Sequence, residues 1–170
     1  MNRVCIDASL AVAWLSYEKY TENANALRKE WLREGIEFLG PPIFYTEVIS
    51  VLRQQVFSKK MLPDDVEEAF SICLDIPIRI IDSPEVYRTA WRLAKELNLP
   101  TCYDTQYLAV SELEECDLWT TDRKLMNLVQ SKNSRVRWLG EYKITNKENQ
   151  KVDKDNAMTK SDMPGLWRAI

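Results

Sequence analysis

Short apolar runs alternate with amphipathic stretches along most of the chain. Val4-Cys5-Ile6 is a continuous apolar run that stops at Asp7 and reads as a short buried strand. Ser9 to Leu15 predicts a short helix. Ala24, Leu27, Trp31 and Leu32 stand at helical spacing and predict a second, with Thr21 as its N-cap. "EFLGPP" predicts a strand from Glu37 to Leu39, ended by Gly40-Pro41-Pro42. "IFYTEVISVLRQQVF" predicts a helix with Val48, Val51, Leu52 and Val56 along one face. The next helix starts at Leu62-Pro63-Asp64-Asp65, where proline suits the first turn and the acids suit the helix dipole. Its apolar stripe is Val66, Ala69, Phe70, Cys73 and Leu74.

Ile78 to Ile81 predicts a third strand, and Ser83-Pro84-Glu85 opens a helix carrying Val86, Ala90, Leu93, Ala94 and Leu97. A helix from Asp104 to Leu113, a strand through "DLWTT", a helix from Asp122 to about Val129 and a strand from Val136 to Leu139 complete the series. Short apolar strands separated by helices predict a three-layer α/β/α fold around a central, mostly parallel sheet covered on both faces. After Tyr142 the pattern stops. Thr145 to Asp162 carries four Lys, three Asp and one Glu, with only Val152, Ala157 and Met158 apolar. Such a stretch cannot bury a core face. The expected organisation is one domain over 1–142, then a polar linker and a short apolar tail, "MPGLWRAI", within 143–170.

Composition narrows the chemistry. The chain has 170 residues, 45% hydrophobic and 29% charged, an ordinary balance for a globular domain with a real core. No apolar run reaches the ~20 residues needed to span a bilayer. The first residues lack the apolar stretch and small-residue cleavage site of a secretory signal, so the expected location is the cytoplasm, with no membrane partner. Cys5, Cys73, Cys102 and Cys116 form no C-x-x-C pair and read as buried free thiols. There is no histidine, which removes His-based triads, His-ligated zinc and His-based RNA cleavage. The four glycines form no phosphate-cradling loop. A formal net charge of −3 supplies no global attraction for nucleic acid. Any chemistry therefore runs on carboxylates, hydroxyls, amines or a metal held by oxygen.

Asp7, Asp104 and Asp122 each stand where a helix begins, and Glu47 lies early in the helix after the second strand. In a parallel α/β sheet the carboxyl ends of the strands share one edge, and ligands bind there where the strand order reverses. Each aspartate also reads as a helix N-cap worth ~1 kcal/mol, and Glu47 as a first-turn dipole residue worth ~0.3–1 kcal/mol. The pattern leaves both readings open. If the four acids meet, they repel one another and need a cation. Oxygen donors without His or Cys favour Mg²⁺ or Mn²⁺, which suits metal-assisted phosphodiester hydrolysis.

The ordered set "VCIDAS", "FYTEVISVL", "TCYDTQYLAVSE" and "LWTTDRKL" resembles the PIN-domain family, especially the VapC-like toxins of type II toxin–antitoxin pairs. The resemblance covers about Arg3 to Leu139. It implies that Asp7, Glu47, Asp104 and Asp122 are the family's acids in order, with Ser9 and Thr120 matching its hydroxyls. It further implies a Mg²⁺- or Mn²⁺-dependent endoribonuclease, dimeric, acting on RNA and held inactive by a cognate antitoxin protein. In that reading Asp7, Asp104 and Asp122 hold the metal. Glu47 completes the shell or orients the attacking water, and Ser9 and Thr120 position the carboxylates. The tail after Tyr142 departs from the compact members of the family.

Arg53, Lys59, Lys60, Arg123 and Lys124 are candidate phosphate contacts for RNA, or ordinary solvated charges. Tyr103 and Tyr107 read as base-stacking groups or, more simply, as core. Two other functions fit acids at strand ends. One is a phosphatase with an aspartate nucleophile, although Ser9 stands where its second acid belongs. The other is a non-catalytic RNA- or metal-binding module.

Overall fold

Five short strands pair in one sheet in the order β3-β2-β1-β4-β5. They are β1 (Arg3–Ile6), β2 (Glu37–Gly40), β3 (Ile78–Ile80), β4 (Asp117–Thr120) and β5 (Val136–Trp138), and every pairing is parallel. The computed structural model describes residues 2–16, 19–129 and 135–144. The polar stretch and apolar tail expected from 145 onward lie outside the described residues. The helices are α1 (Ala8–Leu15), α2 (Thr21–Glu34), α3 (Phe44–Phe57), α4 (Pro63–Leu74), α5 (Pro84–Glu96), α6 (Tyr103–Leu113) and α7 (Arg123–Val129). A single 3₁₀ turn, Leu139–Glu141, follows β5.

The two faces of the sheet follow from strand alternation. On one face Phe38 of β2 meets Trp14 of α1 and Trp31 of α2, with ring centroids 5.6 and 5.8 Å away. Trp31 also packs edge-on to Trp119 of β4 at 5.6 Å. On the other face the Cys5 thiol donates to the Tyr107 carbonyl of α6 across 3.7 Å. Register pairs Cys5 with Leu118 and Leu39, so these three point towards α6. The helix α5 covers α6 from outside, while α3 and α4 pack together against α1. The result is the expected three-layer α/β/α arrangement. Phe38, Leu39, Phe44, Leu52, Leu108 and Leu118 are among the fully buried side chains. Each such burial is worth about 1.5–3 kcal/mol.

Several local expectations change. Thr21 is the first residue of α2, not its cap; Tyr20 holds that position, and the Thr21 hydroxyl donates to the Ser16 carbonyl at 2.8 Å. The helix α2 ends at Gly35, whose left-handed φ of 64° is the conformation a glycine adopts without strain. Ser83 does cap α5, accepting from the Val86 amide. In α4 only Val66, Ala69 and Cys73 are buried. Phe70 and Leu74 flank that stripe and stay 37% and 55% exposed, because the outermost helix has one neighbouring layer rather than two. Leu32 is likewise exposed on α2. All four cysteines are free, with Cys102 only half-buried. Among the described residues no helix is long and apolar enough to cross a membrane.

Candidate active site

The strand order reverses between β1 and β4, and that edge collects the acids. Register sets Ile6 beside Trp119, and the Asp7 amide extends the ladder by donating to the Trp119 carbonyl at 3.0 Å. Asp7 therefore stands beside Thr120. Two-residue alternation from Cys5 and Leu118 turns both side chains towards α6. Thr120 is fully buried and its Oγ1 donates to Asp7 Oδ2 at 2.5 Å. Ser9 Oγ donates to the same oxygen at 2.6 Å and receives the Thr121 amide at 3.0 Å. Asp7 occupies the N-cap position of α1 with extended backbone, yet its side chain makes no capping bond. Its carboxylate instead takes the Ser9 and Thr120 hydroxyls.

Asp122 combines both sequence readings. Its Oδ1 accepts the Lys124 and Leu125 amides at 2.7 and 3.3 Å, which caps the start of α7. Its own amide donates to Thr120 Oγ1 at 2.9 Å. One hydroxyl thus joins two acids: Asp122 N–H to Thr120 Oγ1, and Thr120 O–H to Asp7. Asp104 is the second residue of α6, where the N-cap residue is Cys102. Glu47 lies in the first turn of α3. There its Oε2 accepts the Tyr107 hydroxyl at 2.6 Å.

The four carboxyl groups act on one another. Burial raises the Asp7 carboxyl above its ordinary range, and the charges of Asp104 and Asp122 raise it further, against the lowering effect of the Ser9 and Thr120 hydroxyls. Burial also raises Glu47, with Asp7 and Asp104 adding to it and the Tyr107 hydroxyl opposing. Asp104 rises through burial and the Asp122 charge, although its rim is open to solvent. Burial, together with the Asp7 and Glu47 charges, pushes the Tyr107 phenol far upward, so it remains a donor.

Residues 7, 47, 104 and 122 come from four segments: the Asp104 and Asp122 charges act on Asp7, those of Asp7 and Asp104 on Glu47, and that of Asp122 on Asp104. Asp7, Glu47 and Asp122 each have one oxygen held by protein donors, while the other receives no hydrogen bond from the described residues. This donor set is all hard oxygen, which suits Mg²⁺ or Mn²⁺ better than zinc. Among the described residues no group of three or more His, Cys, Asp or Glu side chains is placed to hold a metal ion as the side chains stand.

The basic residues divide by distance. Arg123 and Lys124 adjoin Asp122, and the Arg123 guanidinium lies over the Trp138 ring, 4.7 Å from its centroid. Arg53 is exposed partway along α3. Lys59 and Lys60 follow the far end of α3, about 15 Å or more along the helix from Glu47. They line a cavity of about 690 Å³ with Trp14, Gln55, Met61 and Ala69, at the opposite end of α1 from Asp7. Tyr103 is 55% exposed beside Asp104, whereas Tyr107 is 1% exposed. A base cannot stack on Tyr107. Sequence reasoning left its hydrogen bond to Glu47 unseen, although the Asp104–Tyr107 spacing of one helical turn was the available signal.

Thr120→Val tests the bridging hydroxyl. It removes a donor from Asp7 and an acceptor from the Asp122 amide in a fully buried place. The expected cost is about 1–3 kcal/mol of stability, read by urea unfolding.

A family model described as PIN domain matches residues 4–129 of the chain. No curated protein matches it. Among solved structures it is similar to PAE2754 from Pyrobaculum aerophilum, at 18% identity and a TM-score of 0.58, over 81% of this chain and 90% of that one. It is also similar to VapC20 of Mycobacterium tuberculosis, described as a sarcin-ricin loop cleaving toxin. That match has 13% identity and a TM-score of 0.56, over 73% of this chain and 93% of the other. At these identities the two structures speak for the fold.

Proposed function

This chain belongs to the PIN domain family, and on that premise we propose that it is a Mg²⁺- or Mn²⁺-dependent endoribonuclease, the toxin of a toxin–antitoxin pair. The observation that carries the reading is the set of mutually repelling acids at one sheet edge, with three of them anchored by a single oxygen each. That VapC20 is described as a sarcin-ricin loop cleaving toxin supports an RNA substrate. Asp7, Asp104 and Asp122 would hold the ion, and Glu47 would complete the set. The ion, when bound, activates water and neutralises charge on the scissile phosphate. The protein's own part is orientation. Ser9 and Thr120 hold Asp7, the α7 amides hold Asp122, and burial of Asp7 and Thr120 strengthens the Asp7 charge by excluding water. Arg123 and Lys124 are nearest to meet flanking phosphates. Arg53, Lys59 and Lys60 would extend the contact along α3, away from the scissile bond.

Catalysis in this reading belongs to a nuclease domain over residues 1–142, followed by a polar linker and short apolar tail over 143–170. A protein antitoxin and a second copy of the chain are the expected partners, in the cytoplasm.

The test is direct. Purified protein with labelled RNA should cleave it internally with Mg²⁺ or Mn²⁺ and leave it intact with EDTA. Hydrolysis of a small phosphate ester with RNA untouched would instead establish a phosphatase. Ion or RNA binding without turnover would establish a binding module.

A further inference from the structure

Tyr107 is one of the largest fully buried side chains, 1% exposed on the inner face of α6. Its ring is held by packing and its carbonyl by the Cys5 thiol, so the hydroxyl is a fixed point. That point lies 2.6 Å from Glu47 Oε2, across 60 positions of sequence. Glu47 needs such a partner more than the aspartates do. A glutamate has three rotatable bonds and about 1.5–2 kcal/mol of rotamer freedom to lose. Asp7 and Asp104 repel it, and its helix is open to solvent on the exposed side. Left alone, the side chain would swing out to water. Among the described residues Tyr107 is the one side chain that donates to it.

We propose that Tyr107 is a positioning residue: its hydroxyl holds one oxygen of Glu47 so that the other stays with Asp7 and Asp104 for a divalent ion. Tyr107 follows Asp104 by one turn of α6. The same helix face therefore carries one acid of the cluster and the anchor for another. Three acids are then each clamped at one oxygen by a different device: hydroxyls for Asp7, helix amides for Asp122 and a buried phenol for Glu47. Asp104 alone has no protein donor among the described residues, which leaves it able to move as an ion enters.

The inference rests on the metal-dependent reading above, and the experiment separates the two. Mn²⁺ affinity by calorimetry, kcat and KM on labelled RNA, and melting are measured for wild type, Tyr107→Phe, Glu47→Gln and the double variant. Phenylalanine keeps the ring and its packing, and melting confirms that each variant folds. Tyr107→Phe should bind Mn²⁺ about 10–100-fold more weakly, with kcat lowered and KM for RNA unchanged. In the Glu47→Gln background, Tyr107→Phe should add little, because the phenol acts through that carboxylate. Two results would overturn the assignment. One is a folded Tyr107→Phe that binds Mn²⁺ and cleaves as wild type while Glu47→Gln is impaired. The other is a double variant whose losses multiply. A wild type that neither binds Mn²⁺ nor cleaves RNA defeats the underlying reading in its own arm, before any variant is considered.

Discussion

Asp7→Asn should lower RNA cleavage by about 10²–10³-fold, while leaving a protein that melts no lower than wild type without metal. The two halves have one cause. Asp7 is the most buried of the four acids at 8% exposure, and its charge is costly there. Asparagine has nearly the same shape, and its carbonyl can still accept from Ser9 and Thr120. The fold therefore loses a charge without losing volume or its hydrogen bonds. The reaction loses a charged ligand in a site screened from water, where one such interaction is typically worth about 2.7–4 kcal/mol of transition-state stabilisation. A gel assay of labelled RNA and a melt in EDTA give both readings from one preparation. Cleavage at wild-type rate would remove Asp7 from the mechanism. Lost cleavage with a much lower melting temperature would mark it as structural instead.

The second large effect is on stability. Saturating Mn²⁺ should raise the melting temperature, since only the folded chain gathers the acids. At ~100 times Kd the gain is ~2.7 kcal/mol, about 5–11 °C for a chain of this size. Asp104→Asn should remove most of that gain and raise the metal-free melting temperature at neutral pH. Asp104 is a good probe because it gives up no hydrogen bond to the described residues on substitution.

The pH dependence has a definite sign. Asp7, Glu47 and Asp104 are all raised in the folded state. Their contribution to stability is therefore full below the unfolded carboxylate range of about 4 and is lost as pH rises through their folded values. In EDTA the advantage of Asp104→Asn over wild type should grow from pH 4.5 to pH 7.5. The stabilisation by Mn²⁺ should grow over the same interval. Melts of both proteins at these two pH values, with and without Mn²⁺, check each point. A wild type indifferent to Mn²⁺ would count against the acids acting together.

The fold was largely legible from local pattern. Apolar triplets such as Val4-Cys5-Ile6 have no polar position with which to face water. A strand built on them must be covered on both sides, and the intervening amphipathic stretches supply the covers. Boundaries moved by one residue or so, as at Arg3–Ile6 and Phe44–Phe57. Errors of burial were of one kind. Leu32, Phe70 and Leu74 continue apolar stripes by spacing but sit on helix flanks. Spacing defines a face, but how wide a strip of that face is covered depends on how many neighbours a helix acquires.

Site residues divide similarly. That Asp7, Asp104 and Asp122 lie at helix starts is a local fact, readable from the chain. What each carboxylate does there is not. Asp122 caps its helix, Asp7 does not cap, and Asp104 is the second helical residue. The capping amides of Asp122 and the Ser9 donor to Asp7 are local, but the donor that fixes Asp7 in the crevice comes from 113 positions away. Thr120 reaches Asp7 across the β1–β4 register. Tyr107, which reads as core by itself, is core and also the donor to Glu47.

By itself, then, the sequence determined which segments are strands and helices, that the sheet is parallel, that histidine chemistry is absent and which acids were available. These properties depend on side-chain type and spacing over a few residues. Only the tertiary structure decided that β1 and β4 are neighbours at the reversal of strand order, that the four acids there share one electrostatic field, and that Thr120 and Tyr107 hold two of them. Those depend on register and approach between distant segments, where a shift of one residue would turn Asp7 to the other face of the sheet.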